Sequence, residues 1–295
     1  KAQRIEAWKR FVAQHPEGYL FCFRGGLRSR LTQQWIRDSG IDYPLVKGGY
    51  KALRRFLIDS LEAQIESGQF RILSGRTGTG KTRVLMQLPN PVDLEGLANH
   101  RGSSFGRHAT PQPGQIDFEN RLAIAALKVR AAGHSRLVLE DEGRIVGSCS
   151  VPLTLYRVMQ EAPLVWLEDS FDNRVTRILG DYVINMQAEY AALHPDDADA
   201  GFSAFADYLL GSLQRIYKRL GGERHQQLDG LMREALEIQQ RSGDVQAHRR
   251  WIEGLLTHYY DPMYVYQRES KHPRVVFSGE QQAVIEWLRE HCINE

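Results

Sequence analysis

The spacing of apolar residues in the first part of the chain predicts helices that alternate with short strands. Residues 4–14, 30–38 and 50–66 carry apolar side chains at helical spacing, which predicts three helices. Residues 19–21 and 43–46 are short apolar runs that predict two buried strands. Strands that alternate with helices indicate an α/β layer.

The same alternation starts again at residue 70. An apolar strand over residues 70–73 leads through a glycine-rich loop into a helix over residues 83–88. Residues 136–140 and 163–168 predict further strands, and residues 118–132 predict a helix. Strands connected by helices in this way predict a parallel sheet.

The last third of the chain is predicted to be mostly helical. A polar stretch over residues 194–199 predicts a linker. Beyond it, helical patterns cover residues 202–220, 228–241 and 245–259, and a capped last helix is predicted from Ser278.

Composition narrows the class of protein. The chain has 295 residues, 42% hydrophobic and 25% charged, which is typical of globular domains and excludes disordered, collagen-like and coiled-coil chains. No run approaches the roughly 18 apolar residues of a membrane-spanning helix. Three cysteines are too few and too scattered for a disulfide framework or a zinc site, so we expect a cytoplasmic protein.

Charge is unevenly distributed along the chain. Residues 1–90 contain 16 Lys and Arg against 7 Asp and Glu, whereas residues 91–200 contain 10 against 16. A basic first third favours an anionic partner, such as phosphate, diphosphate or nucleic acid. A solvated basic face is the alternative interpretation.

Residues 75–82 carry the strongest chemical signal. They read Gly-Arg-Thr-Gly-Thr-Gly-Lys-Thr and match the phosphate-loop pattern G-x-x-x-x-G-K-[ST] between a predicted strand and a predicted helix. Glycines let consecutive N–H groups face an anion, and the helix N-terminus adds a favourable dipole. Lys81 is expected to reach the outer phosphates, and Thr82 to hold magnesium. The expected binding residues are Gly75, Gly78, Thr79, Gly80, Lys81 and Thr82.

A carboxylate normally completes the metal site beside such a loop. The predicted strand over residues 136–140 leads into acidic residues, so Asp141 or Glu142 is a candidate. Asp93 and Glu95, which follow the first helix, compete for the same role. A solvated acidic turn is the alternative, and no metal site is certain from the sequence.

A second chemical signal surrounds Cys22. This cysteine follows an apolar run directly and precedes a helix, with two glycines before Arg28. Backbone N–H groups, the helix N-terminus, Arg24 and Arg28 would favour thiolate over thiol, which predicts a nucleophile. The alternative is that Cys22 is a small buried apolar residue. Cys149 and Cys292 lack such surroundings and are expected to be structural.

Three further segments each allow two interpretations. The polar stretch over residues 93–106 is longer than an ordinary turn, so His100 and Arg101 are candidates for function or for structure. Arg174 and Arg177 are either phosphate clamps or solvent-facing arginines. The tyrosines of residues 259–266, with the basic residues that follow, indicate either RNA binding or packing.

The cysteine loop, followed by Val46-Lys47-Gly48-Gly49-Tyr50, resembles the end of a rhodanese domain. Together with the phosphate loop and the stretch Asp-Leu-Glu-Gly-Leu-Ala-Asn-His-Arg-Gly-Ser over residues 93–103, it resembles the bacterial tRNA 2-selenouridine synthase family over essentially the whole chain. The resemblance implies an α/β fold in three parts. These are the C-terminal part of a rhodanese-like domain over residues 1–67, whose front part would precede Lys1, a P-loop domain over residues 68–195 and a helical region over residues 196–295.

The resemblance also implies an activity. The family acts on tRNA that carries 2-thiouridine at the wobble position, geranylates the sulfur from geranyl diphosphate, and then introduces selenium from selenophosphate. Cys22 would be the selenium-handling nucleophile, with Arg24 and Arg28 as its anion-binding neighbours. The phosphate loop would bind geranyl diphosphate, with magnesium as a possible ion and ATP as the other ligand. An enzyme that produces selenophosphate is a further expected partner.

One departure supports a rival. Five residues separate Cys22 from Arg28, whereas common sulfurtransferase loops have four. A wider loop can seat a tetrahedral group such as selenophosphate, but it is also the spacing of cysteine-dependent phosphatases. The rival is therefore a phosphatase-like domain fused to a P-loop kinase. A nucleotide-switched RNA-binding protein without chemistry is a third interpretation.

Overall fold

The chain divides into two compact units, residues 1–66 and residues 67–295. The computed structural model describes residues 2–271 and 274–293, apart from the side chains of residues 266–270 and 293. None of the described helices is long and apolar enough to cross a membrane.

The first unit consists of helices that pack around a small apolar core. Its helices are α1 (Ala2–Gln14), α2 (Leu27–Arg37) and α3 (Gly49–Glu66). Val12, Ile36 and Tyr43 form the buried centre of this unit.

The two strands predicted in the first unit are wrong. The runs at residues 19–21 and 43–46 meet only at a single parallel bridge between Leu20 and Leu45. The backbone N–H of Val46 donates to the carbonyl of Leu20 over 2.9 Å, and no further ladder forms in the described residues. An isolated parallel pair lacks the neighbouring strands that stabilise a longer ladder, because such pairs occur almost only inside larger sheets.

The second unit contains a five-stranded parallel sheet, which confirms the predicted α/β class. The strand order is β2-β3-β1-β6-β7, with the strand before the phosphate loop at the centre, and a separate hairpin pairs β4 with β5. The strands are β1 (Phe70–Gly75), β2 (Pro91–Val92), β3 (Leu137–Glu140), β4 (Ile145–Val146), β5 (Cys149–Ser150), β6 (Leu164–Leu167) and β7 (Val275–Gly279).

Helices surround this sheet and extend it into a helical region. They are α4 (Lys81–Leu85), α5 (Leu94–Ala98), α6 (Gln115–Ala131), α7 (Leu153–Glu161), α8 (Phe171–Ile178), α9 (Asn185–Leu193), α10 (Ala198–Arg215), α11 (Tyr217–Leu220), α12 (Gly222–Ser242), α13 (Arg249–Leu255), α14 (Asp261–Lys271) and α15 (Gln281–Ile293). Turns of π-helix over Leu179–Ile184 and Leu256–Tyr260 continue α8 into α9 and α13 into α14, and a 3₁₀ turn over Gln246–His248 precedes α13.

One sheet face is covered by α4 and α15. Leu73 and Val165 of the sheet pack with Val84 of α4 and Leu288 of α15 in one buried cluster. This packing fixes the start of α4, and therefore the phosphate loop, against the central strand.

The helical region has its own core, and one residue of the polar stretch over residues 93–106 is inserted into it. Phe105 is buried there and stacks on Trp251 of α13, with ring centroids 5.8 Å apart. The hydroxyl of Tyr208 donates to the carbonyl of Phe105. The end of the polar stretch is therefore anchored in the helical core by its one aromatic side chain.

The chain returns to the sheet after the helical region. Strand β7 pairs in parallel with β6, so residues 196–295 are not helical throughout. Ser278 lies inside β7 rather than at a helix start, and α15 begins at Gln281. In so short a strand, the alternation of polar and apolar residues is only weak evidence for a strand. The helix-capping signal at Ser278 therefore determined the prediction.

Candidate functional site

The phosphate loop leaves the central strand and turns directly into α4. Gly78 and Gly80 have φ angles of 82° and 84°, in the left-handed region that favours glycine. A Cβ at Gly78 would lie 2.8 Å from the side chain of Ile178, so α8 packs closely against the loop. The sequence folds this way because only glycine tolerates both the turn and the close approach.

Arg174 and Arg177 hold this loop from α8, and neither faces solvent. Arg174 is buried, donates from Nε to the carbonyl of Thr77 over 2.9 Å and forms a bidentate pair with Asp261. Arg177 donates to the carbonyl of Gly78 and pairs with Asp169 over 2.7 Å. Both arginines therefore position the loop backbone, and Arg177 also lines the cavity beside it.

A cavity of about 810 Å³ opens in front of the loop. It collects residues that are distant in sequence but were predicted as candidates. Those that line it are Gly78, Gly80, Lys81, Thr82, Asp93, Glu95, His100, Arg101, Asp141 and Glu142. Gly75 and Thr79 do not line it, and Thr79 is buried with its hydroxyl donating to the carbonyl of Arg76.

The carboxylate that meets the loop threonine belongs to Glu140, which was not among the residues predicted from the sequence. The hydroxyl of Thr82 donates to Glu140 Oε1 over 2.6 Å, while Glu140 Oε2 is buried without a hydrogen-bond partner. Burial, and then the nearby Asp93, raise the pKa of Glu140 to about 8. Glu140 is the last residue of the apolar run that predicts this strand. That position could have identified it as a site residue, because this end of the strand faces the loop.

The ammonium group of Lys81 lies among acids. Its Nζ donates to the carbonyl of Gly75 over 3.4 Å. Burial opposes the charge on Lys81, yet nearby phenol and carboxyl groups raise its pKa above the ordinary value. These groups belong to Tyr264, Glu95, Glu142 and Glu140. The lysine is therefore fully charged, which suits an anion in the cavity.

The other predicted carboxylates take different places. Asp141 accepts hydrogen bonds from Ser74 over 2.5 Å and from Lys271 over 2.6 Å, so its charge is already paired. Asp93 caps α5 by accepting the N–H of Gly96 over 2.7 Å.

Glu95 and Glu142 meet above Gly102. A Cβ at Gly102 would lie 2.5 Å from one carboxyl group and 2.6 Å from the other. Burial, reinforced by neighbouring carboxylates, raises the pKa of Glu95 well above its ordinary value, and burial also raises the pKa of Glu142. The two carboxyl groups are close enough to share a proton, because two adjacent buried carboxylates do not both ionise readily.

His100 and Arg101 shape the cavity wall. His100 Nδ1 accepts the N–H of Gly102 over 3.1 Å, and burial, with nearby Arg107, lowers its pKa to about 4. His100 is therefore neutral at pH 7 and fixes the turn that follows it. Arg101 lies over the ring of Tyr182, 5.6 Å from its centroid.

The tyrosine-rich segment after α13 is used mainly for packing. Tyr260 is buried in the helical core and lines the cavity, while Tyr259 accepts a hydrogen bond from Arg219 over 3.0 Å. Arg274 donates to the carbonyls of Met159 and Ala162. The side chains of Tyr266 and Arg268 lie outside the described residues.

Cys22 lies in a separate small recess of the first unit. The recess has a volume of about 380 Å³ and is lined by Cys22, Phe23, Arg24, Gly26, Leu27 and Arg28. Both predicted arginines, Arg24 and Arg28, line the same recess as the thiol and are exposed to solvent.

Hydrogen bonds to sulfur make Cys22 acidic. Its Sγ lies 3.2 Å from the hydroxyl of Ser29 and accepts the N–H of Gly26 over 3.3 Å. The Ser29 hydroxyl, assisted by backbone N–H groups at the start of α2 and against a smaller effect of burial, lowers the pKa of Cys22 to about 6. The backbone N–H groups predicted from the sequence do lie at the sulfur, whereas Ser29, which has the largest effect, was not predicted.

The alkylation rate of Cys22 is expected to follow this pKa. Iodoacetamide should react with a midpoint near pH 6, because only thiolate reacts and its fraction rises as the pH passes the pKa. Ser29→Ala should shift the midpoint upward, toward the ordinary cysteine value. Mass spectrometry of labelled peptides against pH measures both midpoints, and an unchanged midpoint in the variant would contradict the assignment to Ser29.

The turn at residues 48–49 packs against the backbone of the cysteine loop. The N–H groups of Tyr50 and Lys51 donate to the carbonyls of Cys22 and Phe23 over 2.9 and 3.1 Å. Gly49 has a φ of 62°, and a Cβ there would lie 2.0 Å from the carbonyl oxygen of Cys22. Close backbone packing thus explains why this segment contains paired glycines.

Gly49→Ala should destabilise the protein by at least about 2 kcal/mol, since it combines a strained φ with a backbone clash. Gly40→Ala is the matched control, because Gly40 has a φ of 90° with nothing within 4 Å of the added Cβ. Its effect should be limited to the backbone strain. Urea denaturation measures both variants, and equal losses would show that the clash is unimportant.

The sheet, the loop on its central strand and the cavity in front of it have the architecture of a P-loop-like domain, and such a loop suits a phosphate-bearing ligand. Residues 68–295 match a family model described as the tRNA 2-selenouridine synthase AAA domain. This chain belongs to the tRNA 2-selenouridine synthase family.

Relatives extend the match to the first unit. The chain is 67% identical over 289 residues to the tRNA 2-selenouridine synthase of Marinobacter nauticus, covering 98% of this chain and 78% of that protein. It is 61% identical to the tRNA 2-selenouridine synthase of Pseudomonas fluorescens strain Pf0-1, with the same coverage. No solved structure matches the chain.

Proposed function

We propose that this protein converts 2-thiouridine at the wobble position of tRNA into 2-selenouridine, through an S-geranyl intermediate. Relatives that bear the name tRNA 2-selenouridine synthase align with nearly the whole chain, which supports the overall conversion. The observation that carries the proposal is the presence in one chain of two different sites, a phosphate-loop cavity and an acidic cysteine in an arginine-rimmed recess. Two sites suit a reaction with two donors.

The phosphate loop would bind geranyl diphosphate. Lys81 and the loop N–H groups would hold the diphosphate and would stabilise the charge that grows on it as the carbon–oxygen bond breaks. Apolar side chains line part of the cavity, including Met86, Ile178 and Met263. These side chains suit an isoprenoid chain, whereas ATP is the other ligand that the loop would accommodate.

Thr82 and Glu140 fit a magnesium ion. Both offer hard oxygen ligands, and the unpartnered Oε2 of Glu140 is free to bind a cation or its water. No group of three or more His, Cys, Asp and Glu side chains in the described part of the chain could hold a metal. A magnesium ion here would therefore complete its shell with diphosphate oxygens and water, and it would neutralise charge on the leaving group.

Cys22 would handle selenium from selenophosphate. Its lowered pKa keeps the sulfur nucleophilic at neutral pH, and Arg24 and Arg28, which line the same recess, would bind the phosphate group. The first unit would then be the end of a rhodanese-like domain. A selenophosphate-producing enzyme would supply the donor, and the reaction would take place in the cytoplasm.

Nucleoside mass spectrometry tests the proposal. The protein is incubated with tRNA that bears 2-thiouridine, once with geranyl diphosphate and once with geranyl diphosphate plus selenophosphate. The first reaction should give S-geranyl-2-thiouridine and the second 2-selenouridine. Unmodified 2-thiouridine in both, from folded protein that binds the tRNA, would exclude the proposal.

The spacing of Cys22 and Arg28 sustains the rival, in which the cysteine loop hydrolyses phosphate esters and the P-loop domain is a kinase. Release of phosphate from a small ester, lost in Cys22→Ser and independent of tRNA, would support that rival.

A further inference from the structure

A histidine–carboxylate pair lies in the wall of the phosphate-loop cavity. His108 lines this cavity, and its Nδ1 lies 2.8 and 3.1 Å from the two carboxyl oxygens of Glu189 on α9. The backbone N–H of Ala109 donates to Glu189 over 3.1 Å, and the guanidinium of Arg101 lies 3.8 Å from the same carboxyl group. The side chains of His108 and Glu189 are only 20% and 30% exposed. Glu189 therefore holds the imidazole ring in one orientation.

The chain around His108 is held on both sides. Before it, Phe105 is buried in the helical core. After it, the side chain of Asn99 donates to the carbonyls of Thr110 and Pro111, over 3.1 Å in each case. The ring therefore keeps a fixed place in the cavity wall, as a group that transfers a proton requires.

The two histidines of this wall have different tautomers, because their Nδ1 atoms have different partners. Nδ1 of His100 accepts the N–H of Gly102, so Nε2 carries the proton of that neutral ring. Nδ1 of His108 faces the carboxyl group of Glu189, so in the neutral ring it carries the proton and Nε2 keeps a lone pair. Within the described part of the chain, no residue forms a hydrogen bond with this Nε2. Of these two rings, His108 is the one that can accept a proton at Nε2.

S-geranylation of 2-thiouridine needs a proton acceptor. The sulfur attacks C1 of geranyl diphosphate, and the electron pair of the breaking carbon–oxygen bond leaves with diphosphate. As the C2–S bond becomes single, N3 loses its proton and the electron pair of the N3–H bond forms a double bond between N3 and C2. The modified base is neutral only if another group takes this proton. Lys81 does not suit that role, because nearby carboxyl groups keep it charged.

We propose that Nε2 of His108 accepts the N3 proton of the base while its sulfur is alkylated, and that Glu189 is the positioning residue for this step. Glu189 keeps Nδ1 protonated and stabilises the imidazolium that forms, as the carboxylate does in other histidine–carboxylate pairs. This role rests on the proposed function, because geranylation is one of its two steps. The carboxyl group of Glu140 is less suited, since Thr82 already donates to it beside the phosphate loop.

The test uses the full chain and tRNA that bears 2-thiouridine, with kcat and KM of geranylation as readouts. His108→Ala should lower kcat by about 10²-fold and leave KM for geranyl diphosphate nearly unchanged. This loss is at the lower end of the usual contribution of a general base, because N3 becomes more acidic as the sulfur is alkylated. His108→Asn should be equally slow, since its amide keeps a donor for Glu189 but has no counterpart of Nε2.

Added imidazole separates a proton acceptor from a structural residue. It should raise the rate of His108→Ala in proportion to its concentration, because it supplies the missing acceptor. It should not raise the rate of the unmodified protein or of Glu189→Gln, in which the ring of His108 is still present. Glu189→Gln should lower kcat less than His108→Asn does, and Glu189→Asp should recover part of the loss because it keeps a carboxylate.

Two substitutions outside the cavity are the matched controls. His258 and Glu237 are exposed and do not line the cavity. His258→Ala and Glu237→Gln should therefore leave kcat and KM unchanged, with or without imidazole.

A normal kcat in His108→Asn would overturn the base, since only the contact with Glu189 would then matter. A low kcat in His108→Ala that does not respond to imidazole would also overturn it. If the unmodified protein and both His108 variants geranylate equally well, the base fails and the proposed function stands. If the unmodified protein forms no S-geranyl nucleoside, the proposed function fails, and the base that rests on it fails too.

Discussion

Cys22→Ser is expected to abolish selenouridine formation, by about 10³-fold or more, while geranylation continues. Removing a nucleophile typically has an effect of at least this order. Serine is not ionised near pH 7, whereas the hydrogen bonds that lower the pKa of Cys22 to about 6 keep its sulfur largely as thiolate. The measurement is the yield of S-geranyl and seleno nucleosides from the same tRNA.

Cys149→Ala is the control for this variant. Cys149 is buried, its pKa is raised by burial, and it lies in the hairpin of the second unit. Its loss should leave selenouridine formation intact. Selenouridine formation by Cys22→Ser at the rate of the unmodified protein would remove Cys22 from the chemistry and favour an RNA-binding role for the cysteine loop.

Lys81→Met is expected to reduce geranylation by about 10²- to 10³-fold, the usual effect of removing one preorganised donor to developing charge. The reason is that Lys81 is a cation at the phosphate loop, and the carboxyl groups of Glu95, Glu140 and Glu142 around it supply no positive charge in its place. Affinity for geranyl diphosphate, measured by calorimetry, should fall together with the rate.

Lys128→Met is the matched control for the second variant. Lys128 is exposed on α6 and does not line the cavity, so the same substitution there should change neither rate nor affinity. Cys22 alkylation should be unchanged in both variants. Geranylation at a normal rate by Lys81→Met, with loss of ATP binding, would reassign the phosphate loop to a nucleotide.

Local sequence was sufficient where chemistry depends on consecutive residues. The phosphate loop could be predicted because its glycines, lysine and threonine must follow one another between a strand and a helix. The cysteine loop was recognisable for the same reason, and the parallel sheet followed from the alternation of apolar runs with helical patterns.

Contacts between distant segments were not predictable in this way. Glu140 meets Thr82 across 58 positions because β3 lies beside β1 in the sheet, and strand order is not written in either segment. Asp141, which looked equally suitable, is instead paired with Lys271 after 130 positions of chain. A run of acidic residues predicts that a carboxylate is present, but only the sheet register decides which one faces the loop.

The cysteine site shows the same division. By itself the sequence determined that Cys22 lies between an apolar run and a helix, with glycines and arginines around it. Only the tertiary structure decided that Ser29 and the backbone N–H of Gly26 contact the sulfur, and that Gly49 supports the loop. The physical reason is that local patterns specify the residues and the turns they permit, whereas pKa and exposure depend on atoms brought together by packing.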